Sequence, residues 1–284
     1  MKRFKIGGVP EHFNLPWRLC IEENVFKDLG IELHWSDMTG GTGQMIKGLE
    51  SKSLDIAVLL TEGITQAILK GTQAKIIDIY VNSPLQWGIH IPVDSNVADV
   101  KGLHSANFAV SRMGSGSHLM AYVLGKKFNF AMENISFNVI GDVYGGIWAL
   151  ENHVSDAFLW EKYTTQPFVD KGSCKFLGQI DTPWPCFVVA GRNDVVEKYG
   201  GEINEMLNRV QQRAKKLKDD THSVQEIAWR YHLQEPSVDQ WLKETEWKYS
   251  EAPYKEKLAS VVAFLLATEL ITETEQSNWA QKLF

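Results

Sequence analysis

Residues Asn107–Lys127 read NFAVSRMGSGSHLMAYVLGKK, and the change of rhythm inside this stretch decides the fold. Phe108–Ser111 has the character of a short strand. Arg112-Met113-Gly114-Ser115-Gly116-Ser117 breaks it, and His118–Lys127 then carries Leu119, Tyr122 and Val123 at helical spacing. A strand feeding a Gly/Ser loop at a helix start presents unpaired backbone N–H groups, backed by the positive end of the helix dipole. Such a cradle suits an anionic or strongly polar ligand group. The competing reading is a capped turn with Ser117 as N-cap. The pattern is neither G-x-G-x-x-G nor a Walker loop.

Working outward, the same alternation recurs. Lys2–Val9 reads as a strand, Phe13–Leu29 as a helix stopped by Gly30, and Ile31–Trp35 as a second strand. Thr39–Gly43 is a second Gly-rich loop opening a helix. Leu54–Leu60 is an apolar run expected of a strand buried on both faces. Thr61-Glu62-Gly63 reads as its exit loop, Ile64–Lys70 as a short helix, and Ala74–Val81 and Gln86–Ile91 as strands. Beyond the opening stretch come a strand (Ile135–Ile140), a helix (Tyr144–Asn152), a strand (Asp156–Trp160) and a helix over Thr164–Asp170. This order predicts α/β structure with largely parallel sheets. Asp181-Thr182-Pro183-Trp184-Pro185 is the strongest punctuation in the chain, and Cys186–Ala190 resumes as a strand. From Asn193 the pattern is helical, with Ile203, Leu207, Val210, Ala214 and Leu217 on one stripe. Ser223–Glu226 and Ser237–Gln240 match capping boxes. Helices are expected over Pro253–Ala267 and Glu273–Leu283.

The 284 residues are enough for two medium domains. A net charge of −6 without a long basic run argues against a nucleic-acid partner. Leu258–Ile271, the most apolar late segment, is too short to span a bilayer, so membrane insertion is not expected. Cys20, Cys174 and Cys186 lack CxxC or Cys/His spacing, which points to neither a disulfide framework nor a metal site. Met1-Lys2-Arg3 leads directly into the first strand, with no signal-peptide core, so a cytoplasmic protein is expected, or a periplasmic one if a signal peptide has been lost.

The ordered set of motifs resembles the type II periplasmic-binding-protein fold, in the branch of substrate-binding proteins for thiamine-pyrimidine precursors, nitrate and sulfonates. Gly40-Gly41-Thr42-Gly43 followed by Leu54-Asp55-Ile56-Ala57-Val58 is similar to that family's loop–helix–"D-I-A" unit. Val100-Lys101-Gly102-Leu103 resembles its "L-K-G-K" segment with the order changed. Ser111–Ser117 sits where the family has a ligand-binding loop, and Asn152–Phe158 resembles its "G-x-V-D-A" segment, with Asn152 in place of glycine. The likeness covers roughly residues 1–200. It implies two α/β lobes joined by two crossing strands, near Gly88–Pro92 and Pro183–Val188, with ligand in the cleft. Lobe I would be 1–88 plus 186–284, with the C-terminal helices as an extension, and lobe II 89–185. A small-molecule ligand is implied, and an ABC transporter permease as a possible partner. The chain departs from exported members in lacking a signal, which makes it similar to signal-less relatives.

Ligand groups on such a fold come from loops at the C-terminal ends of strands. These nominate Pro10, His12 and Phe13; Gly41 and Thr42; Thr61 and Glu62; Ser111, Arg112, Ser115, Gly116, Ser117 and His118; Asp142 and Tyr144; and Trp160 and Glu161. Trp87 and Trp184 join Phe13 and Trp160 as rings that could stack on a ligand, whereas Trp17 reads as core. Each is individually more readily explained by structure; their convergence points to a binding site. Glu62, Asp142 and Glu161 favour an amine or ring N–H, Arg112 a carboxylate or phosphate. Together these suit a zwitterionic or amphiphilic compound of thiamine-pyrimidine, sulfonate or carboxylate type. No catalytic residue, cofactor or metal ligand set is expected: Gly114–His118 only approaches a nucleophile elbow. The alternative is an enzyme on the same fold, similar to pyrimidine synthases or to the dehydratase of menaquinone synthesis. The synthases' cysteine cluster is missing, which favours the binder.

Overall fold

The structure, a computed structural model, describes residues 1–247 and 254–284. The expected start of a helix at Pro253 therefore lies outside the described residues. The chain divides into two units, Met1–Ser83 with Pro183–Phe284, and Pro84–Thr182. The passages at 83/84 and 182/183 come a few residues earlier than the divisions at 88 and 185 expected from the sequence. The reason is that Gln86–Ile91 is an integral strand of the second unit, paired on both edges.

In the first unit, β1 (Lys2–Gly8), β2 (Ile31–Asp37), β3 (Ile56–Leu60) and β4 (Ala74–Val81) alternate with α1 (Leu15–Glu22), α2 (Gly41–Glu50) and α3 (Thr61–Leu69). β3 reads IAVLL and is buried almost throughout, as a strand covered on both faces requires. The expected helix Phe13–Leu29 is shorter than its pattern. It ends at Glu22, Asn24 takes a left-handed φ of 54°, and a single tight turn over Lys27–Leu29 closes at Gly30, φ 66°. Thr61-Glu62-Gly63 is not a loop but the first turn of α3. The Thr61 hydroxyl donates to the Pro185 carbonyl at 2.6 Å and its N–H to the Cys186 carbonyl at 3.2 Å, so the chain turns from strand to helix without a spacer.

The second unit holds β5 (Gln86–Ile91), β6 (Asn107–Val110), α4 (Gly116–Phe128), β7 (Ser136–Val139), α5 (Val143–Glu151), β8 (Ala157–Glu161), α6 (Lys162–Asp170) and β9 (Lys175–Asp181). β9 escaped the sequence reading because it is an edge strand, largely exposed and without a clean alternation. The chain then returns to the first unit with β10 (Phe187–Arg192) and the helices α7 (Asn193–Asp219), α8 (Ser223–Tyr231), α9 (Glu235–Glu244), α10 (Tyr254–Ala267), α11 (Glu273–Gln276) and α12 (Trp279–Leu283).

The two sheets share one plan: β2-β1-β3-β10-β4 and β7-β6-β8-β5-β9. In each, four strands run parallel, and the strand that first enters the unit from the other, β10 or β5, runs against both neighbours. The parallel strands therefore all deliver their C-terminal ends, and the helices that follow, to one edge of each sheet.

The stripe Ile203, Leu207, Val210, Ala214 and Leu217 is the buried face of α7. The two capping boxes expected at Ser223 and Ser237 are absent. Asp220 accepts the His222 N–H at 2.9 Å and moves the start of α8 back, while Pro236 in the first turn starts α9 before Ser237. A capping box does form at Thr272 and Glu275. The expected helix Glu273–Leu283 is two pieces, separated where Asn278 takes φ 54°. Among the described residues no helix is long and apolar enough to cross a membrane.

Candidate functional site

Each unit carries its own cluster of candidate residues at the C-terminal ends of its parallel strands. In the second unit, three helices begin there, and their caps differ in charge. Asp142 caps α5, accepting the Gly145 N–H at 3.0 Å. Glu161 caps α6, accepting from the Tyr163 and Thr164 N–H groups at 3.1 and 2.6 Å and from the Thr164 hydroxyl at 2.7 Å. Burial pushes the Glu161 carboxyl above the usual carboxylate range, against the pull of these donors. Both carboxyl groups are thus engaged by backbone N–H groups of their own helices and offset the positive dipole ends of α5 and α6.

The start of α4 differs. Ser115, not Ser117, is its N-cap, because the Ser115 hydroxyl accepts the His118 N–H at 3.4 Å. Ser117 turns inward and its hydroxyl accepts the Ser111 N–H at 3.0 Å, locking the strand end onto the helix. The two hydroxyls lie 3.0 Å apart and share one hydrogen bond. Two hydroxyl protons serve that single bond, so one remains to donate elsewhere. The Gly116 and Ser117 N–H groups, at the first two helical positions, have no partner among the described residues. His118 Nδ1 accepts the Gly114 N–H at 3.1 Å, which places the ring proton on Nε2; that donor is buried without a partner. Burial lowers the pKa of His118, whose ring packs against Tyr122 and Phe137. Arg112, partly buried, makes no ion pair among the described residues. The cluster offers donors and no carboxylate.

The other second-unit candidates lie around this edge unevenly. Tyr144 is 70% exposed on the first turn of α5, and Trp160 is half-buried against Phe158. Trp87, buried with its Nε1–H unpartnered, pairs in register with Glu161 across β5 and β8. His90, which the sequence reading passed over, is wholly buried on the same strand. Its Nδ1 is 3.2 Å from the Phe158 carbonyl, its Nε2 has no partner, and burial lowers its pKa to about 4.

In the first unit, α2 and α3 begin without a side-chain cap, at Gly40 and Leu60. Gly41 opens α2 with φ 65°, a left-handed conformation that favours glycine. Thr42 is spent internally: its hydroxyl oxygen accepts the Leu60 N–H at 3.2 Å. Its methyl lies where a Cβ on Gly63 would stand, 2.5 Å away, so a glycine is needed there for the two helix starts to meet. Glu62 and Trp184 form a buried pair, the indole N–H donating to Oε2 at 2.9 Å. Burial holds the Glu62 carboxyl up at about 7. Pro10 is exposed at the end of β1, whereas His12 is enclosed by Phe13, Tyr231 and Trp241, the last with ring centroids 4.1 Å apart. Desolvation lowers its pKa to about 3. The C-terminal helices α8 and α9 thereby reach the strand-one exit, a contact no local motif announced. Trp17 is core, fully buried.

This architecture has known counterparts. A protein from Candida albicans, the CA3427 gene product, described as defining a family with the generic periplasmic-binding-protein fold, superposes with a TM-score of 0.88 at 23% identity, covering 100% of this chain and 96% of that one. The chain has the type II periplasmic-binding-protein fold. Residues 87–180, most of the second unit, match the family described as Ca3427-like periplasmic binding proteins. The binding-protein fold is shared with the alkanesulfonate-binding protein SsuA of Xanthomonas axonopodis pv. citri, solved with MOPS bound (TM-score 0.83, 16% identity, 100% of this chain and 98% of that one). It is shared too with the nitrate-binding protein NrtA of Synechocystis PCC 6803 (TM-score 0.76, 15% identity, 99% and 86%). No curated protein matches the sequence.

Proposed function

We propose that this chain is a non-catalytic solute-binding protein whose small organic ligand presents an acceptor-bearing group, of sulfonate, carboxylate or similar polar type, to the start of α4. One observation carries the reading. Of the three helix starts at that edge of the second unit, α5 and α6 are capped by carboxylates. Only α4 has a neutral cap, Ser115, so that its open Gly116 and Ser117 N–H groups have no carboxylate beside them, but a spare hydroxyl proton and Arg112. An anion there replaces water at unpaired donors and meets the uncompensated dipole. The sulfonate and nitrate ligands of two proteins with this fold are chemically of that kind. The reading extends to an ABC transporter permease as partner. The cytoplasmic assignment is also a proposal. It draws on Cys20, Cys174 and Cys186 being free thiols, as a reducing compartment keeps them; fractionation of the native host tests it.

Native mass spectrometry of protein purified gently from its source tests the function. A stoichiometric organic adduct retained by the wild type and lost from Gly116→Val supports the reading, because a branched side chain at the first helical position obstructs the N–H groups. An adduct that survives Gly116→Val unchanged refutes it. Conversion of the compound on incubation would mean an enzyme instead.

A further inference from the structure

The loop that opens α4 is tied to its helix by bonds running in both directions. The Ser115 N–H donates to the Arg112 carbonyl at 3.1 Å, closing a tight turn in which Gly114 takes a left-handed φ of 75°. The Ser115 hydroxyl accepts the His118 N–H at 3.4 Å, and the His118 ring reaches back four residues, its Nδ1 accepting the Gly114 N–H at 3.1 Å. This is the logic of a capping box, in which a residue of the first helical turn returns an acceptor to the backbone before the helix. That acceptor is ordinarily a Glu or Gln side chain. α11 follows the rule, with Glu275 accepting the Thr272 N–H at 2.7 Å. α4 has an imidazole instead.

The exchange has an electrostatic consequence. A Glu latch sets a carboxylate beside the first-turn N–H groups and offsets the dipole that would attract an outside anion; like charges side by side also repel. A neutral imidazole makes the same hydrogen bond without charge, and burial, which lowers the pKa of His118, keeps it neutral at pH 7. Of its two nitrogens only Nδ1 is hydrogen-bonded, and the ring packs edge-on against Tyr122 and Phe137. The other Gly-rich helix start uses the same device. At α2 the Gln44 Oε1 accepts the Gly40 N–H at 2.8 Å, again four residues back and again without charge. The two Gly-rich starts are thus latched by neutral side chains, whereas α5, α6 and α11 use carboxylates.

We propose that His118 is a positioning residue that sets the charge preference of this helix start: its neutral ring fixes the Arg112–Ser115 turn onto α4 while keeping a carboxylate away from the Gly116 and Ser117 N–H groups. The role rests on the anion-binding reading above. It acts through Gly114, and the ring need not touch the ligand. A latch that served folding alone would be met as well by Glu, since His118→Glu completes an S-x-x-E capping box with Ser115. The two roles therefore part in that variant, where the latch is kept and the neutrality is lost.

The test titrates the 15N-labelled full chain, as wild type, His118→Gln and His118→Glu, with methanesulfonate and with nitrate, following the Gly116 and Ser117 amide signals. It is run at about pH 8, where a capping carboxylate is ionised, with thermal melts alongside. His118→Glu should melt no lower than His118→Gln, because its charge sits at the favourable end of the dipole. Its anion affinity should nevertheless fall about tenfold or more below that of His118→Gln, through like charge beside the ligand, while His118→Gln stays near the wild type. Equal anion affinity in the two variants overturns the assignment. Long-range 1H–15N spectra of the wild-type imidazoles need no variant. At pH 7 His118 should be the neutral Nε2–H tautomer with and without anion; an imidazolium or an Nδ1–H tautomer overturns the assignment even where His118→Glu fails to fold. Gly116 and Ser117 signals that neither anion moves in the wild type sink the anion reading itself. Shifts that persist undiminished in His118→Glu sink only the role of His118.

Discussion

Acid should destabilise this protein through two imidazoles that the fold keeps neutral. His12 and His90 are 2% and 0% exposed, and burial holds them at about 3 and about 4 against 6.5 in an open chain. As pH falls below 6.5 the unfolded chain takes up a proton on each, and the folded chain does not until the lower values are reached. The unfolded state then binds more protons, so stability is present above pH 6.5 and is lost as pH falls. At about 1.4 kcal/mol per pH unit, the His90 contribution lost by pH 4 is roughly 3 kcal/mol, and that of His12 by pH 3 roughly 5 kcal/mol. Glu62 acts in the opposite sense. Its carboxyl, raised to about 7 from 4.5, contributes stability that is complete below pH 4.5 and lost as pH rises through 7, again roughly 3 kcal/mol. The opposing slopes overlap between pH 4.5 and 6.5, so variants are needed to separate them. Urea unfolding of wild type and His90→Leu at pH 7, 5.5 and 4 measures the difference directly. The variant should gain on the wild type by about 3 kcal/mol between pH 7 and 4. A stability gap that stays constant with pH would show that His90 is not held neutral, and the reasoning would fail.

Other consequences are quicker to check. Ser115→Ala removes the α4 cap and should lower stability by about 1 kcal/mol in a thermal or urea melt, besides weakening anion binding. Ser117→Ala leaves the Ser111 N–H without its acceptor and should cost about 1–3 kcal/mol of stability. Gly145→Ala sets a methyl 2.1 Å from the Ile140 carbonyl oxygen; since backbone must move, its circular-dichroism melt should fall well below that of Gly200→Ala, where a Cβ meets nothing within 4 Å.

Much of this architecture was legible because it follows from local rhythm. The opening strand–loop–helix, the apolar strand Ile56–Leu60 and the buried stripe of α7 are each dictated by spacing that the chain carries on its own. Misreadings fell where a distant partner decides. Thr61 looks like a loop residue until the carbonyls of Pro185 and Cys186, more than a hundred residues away, anchor it as the start of α3. The cap of α4 went to Ser117 because both serines fit the pattern; the choice rests on which hydroxyl reaches the His118 N–H and which is drawn to Ser111. The enclosure of His12 by Tyr231 and Trp241 joins segments over two hundred residues apart, and no periodicity encodes it.

The most direct test of the central claim is a backbone-amide NMR titration of the 15N-labelled full chain with methanesulfonate, nitrate and acetate. If the start of α4 receives the ligand's acceptor group, the Gly116 and Ser117 amide signals shift saturably with at least one of these anions, while Gly145 and Thr164, at the carboxylate-capped starts of α5 and α6, stay in place. Signals of Gly116 and Ser117 that remain unmoved while other amides titrate, or that move no more than those of α5 and α6, would contradict the account.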